Sequence, residues 1–167
     1  NIKNLEKKIG FNLSDNQKVI EFSPLTYKFF NIISKKINNL KGGMLIIDYG
    51  YLEKKMKNSL QSVVKHRFNG ILENFSNSDL TYNINYYLLK KIVKKLNLKI
   101  GGITTQKKFL IKMGIMQRAE ILAKNIQFSK KVDIYYRLKR LIDNKFMGQL
   151  FKVMFVTNKK NKFNTGF

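Results

Sequence analysis

Residue types that build specialised sites are scarce in this sequence. It contains no cysteine and a single histidine, His66, among 167 residues. The absence of cysteine excludes disulfide bonds and thiolate metal ligands, and it is compatible with a reducing compartment. One histidine argues against a histidine-based metal cluster or a catalytic triad, so we expect no metal site. No apolar run approaches the roughly 18 residues that a membrane-spanning helix requires.

Acidic residues are also few, since ten aspartates and glutamates face 33 lysines and arginines, giving a formal net charge of +23. Such a charge permits association with nucleic acid or an acidic surface. The lysines, however, are spread along the whole chain, as an AT-rich coding sequence predicts. Only four arginines offer the bidentate fork favoured for phosphate and base recognition: Arg67, Arg118, Arg137 and Arg140. We expect no specific nucleic-acid partner, and a small basic nucleic-acid-binding module remains the alternative interpretation.

The remaining composition is that of a folded domain, with 44% hydrophobic and 13% aromatic residues. Its most informative stretch runs from Gly42 to Tyr51. A short apolar run after two glycines is typical of a strand in a parallel sheet with both faces covered. In open α/β sheets, ligands bind beyond the carboxyl ends of the strands, so residues 48–51 are predicted to face a ligand. No glycine-rich nucleotide loop precedes this strand, and the first residue is not methionine. We therefore expect the second half of a nucleotide-binding α/β domain.

The rest of the chain alternates between helical and strand patterns. Ser23 and Pro24 form a helix-start signal, and Asn85 and Thr105 are predicted helix caps. The predicted elements are a partial strand or hairpin over 1–22, a helix from 24 to about 40, a short strand or a turn over 60–64, a loop over 69–82, a helix from about 85, a strand over 98–103, helices over 106–113, 116–126 and 130–143, and a strand over 149–157.

Six short motifs occur in a fixed order along the chain. They are Gly42-Gly43 with Ile47-Asp48-Tyr49-Gly50-Tyr51, Leu60-Gln61 with Lys65-His66-Arg67-Phe68, Asp79-Leu80-Thr81, Thr105-Gln106 with Phe109-Leu110, Gly114-Ile115 with Arg118-Ala119-Glu120, and Met147-Gly148 with Leu150-Phe151-Lys152-Val153. In this order they resemble the MidA-like family of S-adenosylmethionine-dependent methyltransferases. These are bacterial relatives of the mitochondrial arginine methyltransferase that assists assembly of respiratory complex I.

The resemblance implies a fold as well as a family. The fold class would be α/β: the C-terminal half of a Rossmann-like class I methyltransferase sheet, with about three core strands, an antiparallel last strand and a helical insertion at about 105–145. The strands near 44–48, 98–103 and 149–157 would be the fifth, sixth and seventh of that sheet. Residues 1–167 would form the C-terminal part of one methyltransferase domain, and its N-terminal, cofactor-binding half would be absent.

The resemblance also implies a function. The full-length protein would be a methyltransferase that uses S-adenosyl-L-methionine, bound mostly outside this chain. It would methylate arginine in a protein, and the expected protein substrate is a respiratory complex I subunit. It would act in the bacterial cytoplasm, or in the mitochondrial matrix if the source is eukaryotic. This fragment alone would be inactive. A non-catalytic assembly factor with the same fold is a further alternative.

Candidate site residues follow from the chemistry of methyl transfer to a guanidinium. The acceptor must be aligned for in-line displacement, and its charge is usually met by carboxylates and aromatic faces. The predicted catalytic residues are Asp48 and Tyr51. The predicted substrate-binding residues are Tyr49, Gly50, Gln61, Thr105 and Gln106. Structural roles remain open for several of them, because Asp48 can cap a turn and Thr105 can cap a helix.

One departure from the family pattern concerns two polar positions. Where the family often has His and Asp shortly after the Asp-Leu-Thr segment, this chain has Asn83 and Asn85. Asn85 can still cap a helix, so the fold is expected to survive. An acid–base role at these two positions is not expected, because an amide does not titrate.

Overall fold

A computed structural model describes residues 2–74 and 76–167 of the chain. Asn1 and Phe75, which belong to the predicted segments 1–22 and 69–82, lie outside the described residues. Within the described ranges the chain forms seven helices and seven strands. The helices are α1 (Ile2–Ile9), α2 (Pro24–Leu40), α3 (Tyr86–Lys95), α4 (Gln106–Lys112), α5 (Ile115–Ala123), α6 (Phe128–Ile142) and α7 (Met147–Leu150). The strands are β1 (Gly43–Tyr51), β2 (Gln61–Val64), β3 (Arg67–Asn69), β4 (Asp79–Thr81), β5 (Ile84–Asn85), β6 (Lys99–Thr105) and β7 (Phe151–Thr157).

The main sheet has four strands in the order β5-β1-β7-β6. The last strand, β7, runs antiparallel to both of its neighbours, as the resemblance implies. Since β1 and β6 are both antiparallel to β7, they run in the same direction and end at the same edge of the sheet. The fourth strand, β5, has two residues and pairs in parallel with the end of β1. The observed sheet therefore has one strand more than the three expected.

The core lies between this sheet and the helices α2 and α3. Helix α3 buries an apolar face, of which Ile92 and Val93 are almost fully enclosed, against the sheet residues Met154 and Val156. Complete burial of one such side chain contributes about 1.5–3 kcal/mol. The predicted spacing of apolar residues on α3 is thus confirmed, and it explains which face of the helix covers the sheet.

Two predicted helix caps are present. The Asn85 side chain accepts a hydrogen bond from the Leu88 backbone at 3.0 Å, and the Thr105 hydroxyl accepts one from the Lys108 backbone at 3.3 Å. Helix α2 also begins at Pro24 as predicted, although the Ser23 side chain makes no capping bond. The sequence signals therefore located the starts of all three helices.

The end of α2 differs from its predicted form. Lys41, rather than a glycine, adopts the left-handed conformation that ends the helix, with φ of 54°, and its N–H donates to the Ile37 carbonyl. The second of the two glycines that follow Lys41 is instead required for packing within the sheet. A Cβ on Gly43 would lie 2.6 Å from the ring of Phe155, so glycine is needed there for close packing between β1 and β7.

The prediction of a strand or hairpin over 1–22 is wrong. Residues 2–9 form α1, which contacts α3, and the segment after it contains no strand. The Glu6 carboxylate stabilises the turn after the helix by accepting from the backbone of Leu13 at 2.7 Å and of Ser14 at 2.8 Å. Hydrogen bonds to the Glu6 carboxylate, of which those from Ser14 have the largest effect, lower the Glu6 pKa. Contacts with α3 and this local network outweigh the strand propensity of the segment.

The loop predicted over 69–82 contains a strand. Residues 79–81 form β4, which joins β2 and β3 in a separate antiparallel sheet with the order β3-β2-β4. The turn between β2 and β3 places Lys65 and His66 at positive φ, 47° and 64°. Hairpin turns of this kind usually use Asn-Gly or Asp-Gly, so the sequence carried no strong turn signal.

One face of β1 is not covered, which corrects the expectation of a strand buried on both faces. Leu45, Ile47 and Tyr49 alternate along this face and are 46%, 45% and 40% exposed. On the opposite face, Met44 and Ile46 pack against the core.

Four helices, α4–α7, lie between β6 and β7 in the chain, where the insertion at about 105–145 is expected. The short α7 was not predicted. None of the helices in the described ranges is long and apolar enough to span a membrane.

We predict that Gly50→Ala destabilises the fold. A Cβ at this position would clash with the Ile84 carbonyl and lie 2.5 Å from the Tyr86 ring, so overpacking should cost about 1–3 kcal/mol. Gly42→Ala is the matched control, because a Cβ there meets no atom within 4 Å. Urea denaturation of both variants measures the effect. An unchanged free energy of unfolding for Gly50→Ala contradicts the close contact.

Candidate functional site

The candidate site lies at the edge of the main sheet where β1 and β6 both end. Across this edge, Asp48 on β1 pairs with Lys152 on β7, and Lys152 pairs with Thr105 on β6. Directly paired residues share one face of a sheet. The three residues therefore form a row across three strands, which brings together two residues that the sequence singled out and one that it did not.

The carboxylate of Asp48 makes a local hydrogen bond. Its Oδ1 accepts from the Tyr49 backbone at 2.8 Å, the kind of backbone contact expected of a structural aspartate. No other hydrogen bond of this carboxylate is recorded among the described residues. Its predicted catalytic role stays a prediction. The local bond fixes the carboxylate at the end of the strand and leaves the second oxygen for a cationic group.

Tyr86 holds this end of the sheet from the helix side and was missed in the sequence. Its side chain is fully buried, and its hydroxyl donates to the Lys152 carbonyl at 3.0 Å and approaches the Asp48 carbonyl at 3.4 Å. Burial, together with the nearby Asp48 charge, raises the pKa of Tyr86 well above its ordinary value. The only signal in the sequence was its place directly after the Asn85 cap, at the first residue of α3.

The residues after Asp48 divide between exposed and buried positions. Tyr49 lies on the uncovered face of β1, with its ring centroid 4.3 Å from that of Phe151. Tyr51 is buried, and its hydroxyl accepts from the Lys57 backbone at 3.1 Å. Gly50 allows the close approach of Tyr86 already described. Tyr49 is thus an accessible aromatic residue at this edge, on the face opposite Asp48. The predicted catalytic role of Tyr51 would require its hydroxyl to leave a backbone partner.

Charged groups surround the end of β1. Lys57 Nζ lies 2.6 Å from Glu53 Oε1 and 5.1 Å from the centre of the Tyr51 ring. The hydrogen bond from Lys57 lowers the Glu53 pKa. The Lys152 ammonium donates to the Gln149 carbonyl, and burial lowers the Lys152 pKa. The nearby positive charge of Lys57 also lowers the Lys152 pKa, whereas the negative charge of Glu53 raises it.

Thr105 and Gln106 lie at the same edge but have structural partners. The Thr105 hydroxyl caps α4, and the Gln106 amide, which is buried, donates from Nε2 to the Leu141 carbonyl at 2.9 Å. That bond fastens α4 to the end of α6. Substrate contacts by these two residues remain predictions, and Gln106 would have to move before it could reach a ligand.

Gln61 lies apart from the row, at the start of the sheet formed by β2, β3 and β4, where it pairs with Thr81. We call residues 52–83 the arm, because this segment leaves β1 at Tyr51 and returns beside Gly50 and Tyr51 through β5. The arm therefore begins and ends at the candidate site. Gln61 is connected to the candidate site only through the ends of the arm. Its predicted contact with substrate stays a prediction.

A carboxylate fixes the base of the arm. Glu21, which precedes α2, accepts from the backbone of Ser59 at 2.7 Å and of Leu60 at 2.9 Å, and from the Ser59 hydroxyl at 2.5 Å. The Ser59 hydroxyl in turn accepts from the Asn83 backbone at 2.9 Å. Glu21 thus joins the outgoing and returning ends of the arm. Sequence reasoning missed it because its partners are 38 residues or more away.

The two glycines of β6, Gly101 and Gly102, do not form a cradle for a cofactor. A Cβ on Gly101 would lie 2.5 Å from the Phe155 ring, and one on Gly102 would overlap the Phe167 ring. These glycines, like Gly50, admit neighbouring side chains rather than a ligand. Among the glycines that the structure describes, none follows a strand and opens a helix in the manner of a dinucleotide loop. The described residues therefore do not by themselves fit the adenosyl group that the resemblance implies.

Comparisons with known proteins identify relatives of the chain. Residues 1–104 match a family model described as "Putative S-adenosyl-L-methionine-dependent methyltransferase". The mitochondrial protein arginine methyltransferase NDUFAF7 of Xenopus tropicalis is 26% identical over 134 residues, covering 80% of this chain and 31% of that protein. Its namesake in Danio rerio is 28% identical over 126 residues, covering 75% and 29%. The chain thus spans about a third of the length of these curated relatives.

Two solved structures from Burkholderia thailandensis share the fold. An uncharacterised protein has a TM-score of 0.73 at 19% identity, covering 87% of this chain and 40% of that chain. The second, crystallised with S-adenosyl-homocysteine, has a TM-score of 0.66 at 20% identity, covering 79% and 35%. The likeness supports a methyltransferase-like α/β arrangement for the segment that this chain spans.

We predict that Tyr86→Phe lowers the free energy of unfolding by about 1–2 kcal/mol, because the buried hydroxyl bond is lost. The exposed Tyr136→Phe is the control and should be neutral.

The pH dependence of stability tests the same hydroxyl. Because the Tyr86 pKa is higher in the folded than in the unfolded protein, the neutral hydroxyl stabilises the fold fully below the unfolded pKa of about 10. This stabilisation falls as the pH rises above 10. The stability difference between wild type and Tyr86→Phe should therefore shrink between pH 9 and about 11, as measured by urea denaturation. A pH-independent difference contradicts a buried neutral hydroxyl.

Proposed function

Because this chain belongs to the MidA-like family of S-adenosyl-L-methionine-dependent methyltransferases, we propose that it forms the acceptor side of a protein arginine methyltransferase. The methyl donor of the family is S-adenosyl-L-methionine. Arginine as acceptor is supported by the names of relatives that are 26% and 28% identical. The proposal applies to the whole domain, of which this chain is one part.

The observation that carries the proposal is the Asp48 carboxylate at the sheet edge, one of whose oxygens has no hydrogen-bond partner among the described residues. A guanidinium is held well by a carboxylate, which accepts its N–H groups, and by an aromatic ring, which contacts its face. Tyr49, the next residue, is partly exposed on the opposite face of β1. Asp48 would orient the guanidinium and balance its charge, and Tyr49 would line the approach from the other face at the end of the strand. Tyr86 would keep the strand end in place.

The cofactor would be bound by polypeptide outside this chain. Bound S-adenosyl-L-methionine supplies an electrophilic methyl group, and the glycines described above leave no cradle for its adenosyl part. The chain covers 31% of one curated relative and 35% of the solved structure bound to S-adenosyl-homocysteine, which is compatible with the proposed cofactor-binding N-terminal half. The residues of the present chain would then bind and orient the acceptor while that proposed half aligns the donor.

The target and the cellular site are proposed on the family resemblance. A respiratory complex I subunit is the proposed substrate, and the relatives named above are mitochondrial proteins. The bacterial cytoplasm is the proposed location, with the mitochondrial matrix as the alternative for a eukaryotic source. A weak, salt-sensitive affinity for nucleic acid would accompany the charge of +23 without being the function.

We predict that the 167-residue chain alone does not bind S-adenosyl-L-methionine appreciably, because Gly50, Gly101 and Gly102 are packed against neighbouring groups and leave no cradle for the adenosyl part. Isothermal titration calorimetry at cofactor concentrations up to the millimolar range measures this. The S-adenosyl-homocysteine-binding protein of Burkholderia thailandensis serves as the positive control. Binding of the isolated chain with micromolar affinity contradicts the proposed division of the domain.

We also predict a role for Asp48 in a completed protein. In a chimera, this chain replaces the matched segment of the S-adenosyl-homocysteine-bound Burkholderia protein, and purified respiratory complex I is the acceptor. Asp48→Asn should lower the rate of methyl transfer to arginine by roughly 10²-fold, since the charge opposite the guanidinium is lost. Asp133→Asn, which removes an exposed carboxylate paired with Arg137, should leave the rate unchanged.

The assay uses radiolabelled S-adenosyl-L-methionine and identifies the product as methylarginine by amino-acid analysis. If the chimera binds S-adenosyl-homocysteine but transfers no methyl group to any arginine of complex I, the proposed substrate is wrong. If Asp48→Asn and Asp133→Asn behave alike, Asp48 has no role at the acceptor.

A further inference from the structure

A basic pocket lies between the start of α4 and the end of α6. Its volume of about 530 Å³ is within the range of roughly 300–1,000 Å³ that ligand pockets occupy. Lys107 on α4, Lys139 on α6 and Lys145 in the connection to α7 bring three ammonium groups to its lining. The ion pairs recorded among the described residues involve none of the three. The pocket therefore carries positive charge that is available to an anionic ligand.

The polar groups beside the lysines do not neutralise them. Asn144 Oδ1 accepts from Lys107 Nζ at 3.1 Å, which holds that ammonium group at the loop with a neutral partner. Asp143, the one carboxylate among the lining residues, accepts the Lys145 backbone N–H with its Oδ1 at 2.8 Å. Three ammonium groups and one carboxylate leave the lining a formal charge of +2.

Hydrogen bonds and close packing fix the walls of the pocket. The buried Gln106 amide joins the start of α4 to the Leu141 carbonyl on α6 at 2.9 Å. On the other side, the Gly148 N–H donates to the Asp143 carbonyl at 3.1 Å, and a Cβ on Gly148 would clash with the Ile142 carbonyl. Because the walls are held before a ligand arrives, binding would require little ordering of the backbone.

The pocket lies at the same end of the main sheet as the candidate site. Lys107 is in the first turn of α4, two residues after Thr105, which shares a row with Lys152 and Asp48. Helix α7, which follows Lys145, contacts both β1 and β6. One extended segment of an acceptor protein is therefore placed to reach both Asp48 and the pocket.

Apolar groups in the lining favour a carboxylate side chain over a bare anion. Leu138 is buried, Ile142 is half-buried, and Tyr135 is 45% exposed. Beside the lysines they would cover the methylene groups of a glutamate, whereas inorganic phosphate has no apolar part to bury. The lining residues also include no arginine, whose bidentate fork suits phosphate and nucleic-acid backbones.

We propose that this pocket binds an acidic side chain of the acceptor protein, a glutamate close in sequence to the arginine that Asp48 would orient. This deepens the proposed function and rests on it. The pocket would set specificity, because an arginine without an acidic neighbour would lose the contact with Lys107, Lys139 and Lys145. Exposed lysine–carboxylate pairs are individually weak, so each lysine should contribute a few-fold in affinity and the selectivity should come from their combination.

Peptide binding to the 167-residue chain tests the proposal without a cofactor. The probe is a fluorescein-labelled peptide with one arginine and several glutamates, and the reference peptide has glutamine at every glutamate position. Fluorescence anisotropy at about 0.15 M salt should show that the acidic probe binds roughly tenfold more tightly than the reference. Equal binding of the two peptides overturns the proposal.

Variants of equal charge separate the pocket from general attraction to a chain of charge +23. The pocket variant, Lys107→Gln with Lys145→Gln, should bind the acidic probe roughly tenfold more weakly than wild type. The control variant, Lys124→Gln with Lys130→Gln, removes the same charge from exposed positions outside the pocket and should lose less than about twofold. Equal losses in the two variants identify unspecific attraction and overturn the proposal.

A phosphate ligand is a further outcome of the same assay. Inorganic phosphate and a single-stranded RNA oligonucleotide compete with the acidic probe for wild type and for both variants. If either binds wild type more tightly than the probe and loses affinity in the pocket variant alone, the pocket belongs to a phosphate ligand and the proposal is overturned.

The chimera described above separates this proposal from the proposed function. With the acidic peptide as acceptor, the pocket variant should raise KM roughly tenfold with little change in kcat, since the pocket contacts no reacting atom. Pocket-dependent peptide binding by a chimera that transfers no methyl group upholds the acidic ligand and rejects the proposed activity. Methyl transfer with the same KM for acidic and reference peptides rejects the acidic ligand and leaves the activity intact.

Discussion

The pairing of β1 with β7 is the constraint on which the structure depends. Seven consecutive residue pairs join the two strands, and the buried Tyr86 hydroxyl fastens them near Asp48 and Lys152. Because β7 is antiparallel to both neighbours, β1 and β6 end at one edge, and their polar residues meet there. One interaction thus sets the position of the candidate site.

The candidate site and the arm are connected through the end of β1. The arm leaves and re-enters the sheet beside Gly50, and Glu21 joins its two ends. The two ends of the arm are therefore anchored close to Asp48, which lies two residues before Gly50. The arm is thus attached directly to the strand that carries Asp48.

Local signals predicted the elements well and their environment less well. The Ser23-Pro24 start, the Asn85 cap and the apolar spacing of α3 act over three or four residues, so the sequence contains them completely. The strand expected within 1–22 failed because contacts between α1 and α3 decide that segment. For the site, Asp48 and Thr105 were found at strand ends. Tyr86 was not, because its role depends on carbonyls up to 66 residues away.

The proposed function implies that polypeptide outside this chain covers the exposed face of β1. Relaxation of side-chain methyl groups by a soluble gadolinium chelate measures this directly by NMR. In the isolated chain, the methyl groups of Leu45 and Ile47 should relax strongly, while those of the buried Val153 and Val156 should not. In the chimera all four should be protected. Leu45 and Ile47 methyl groups that are shielded in the isolated chain, or that remain accessible in a folded chimera, contradict the claim.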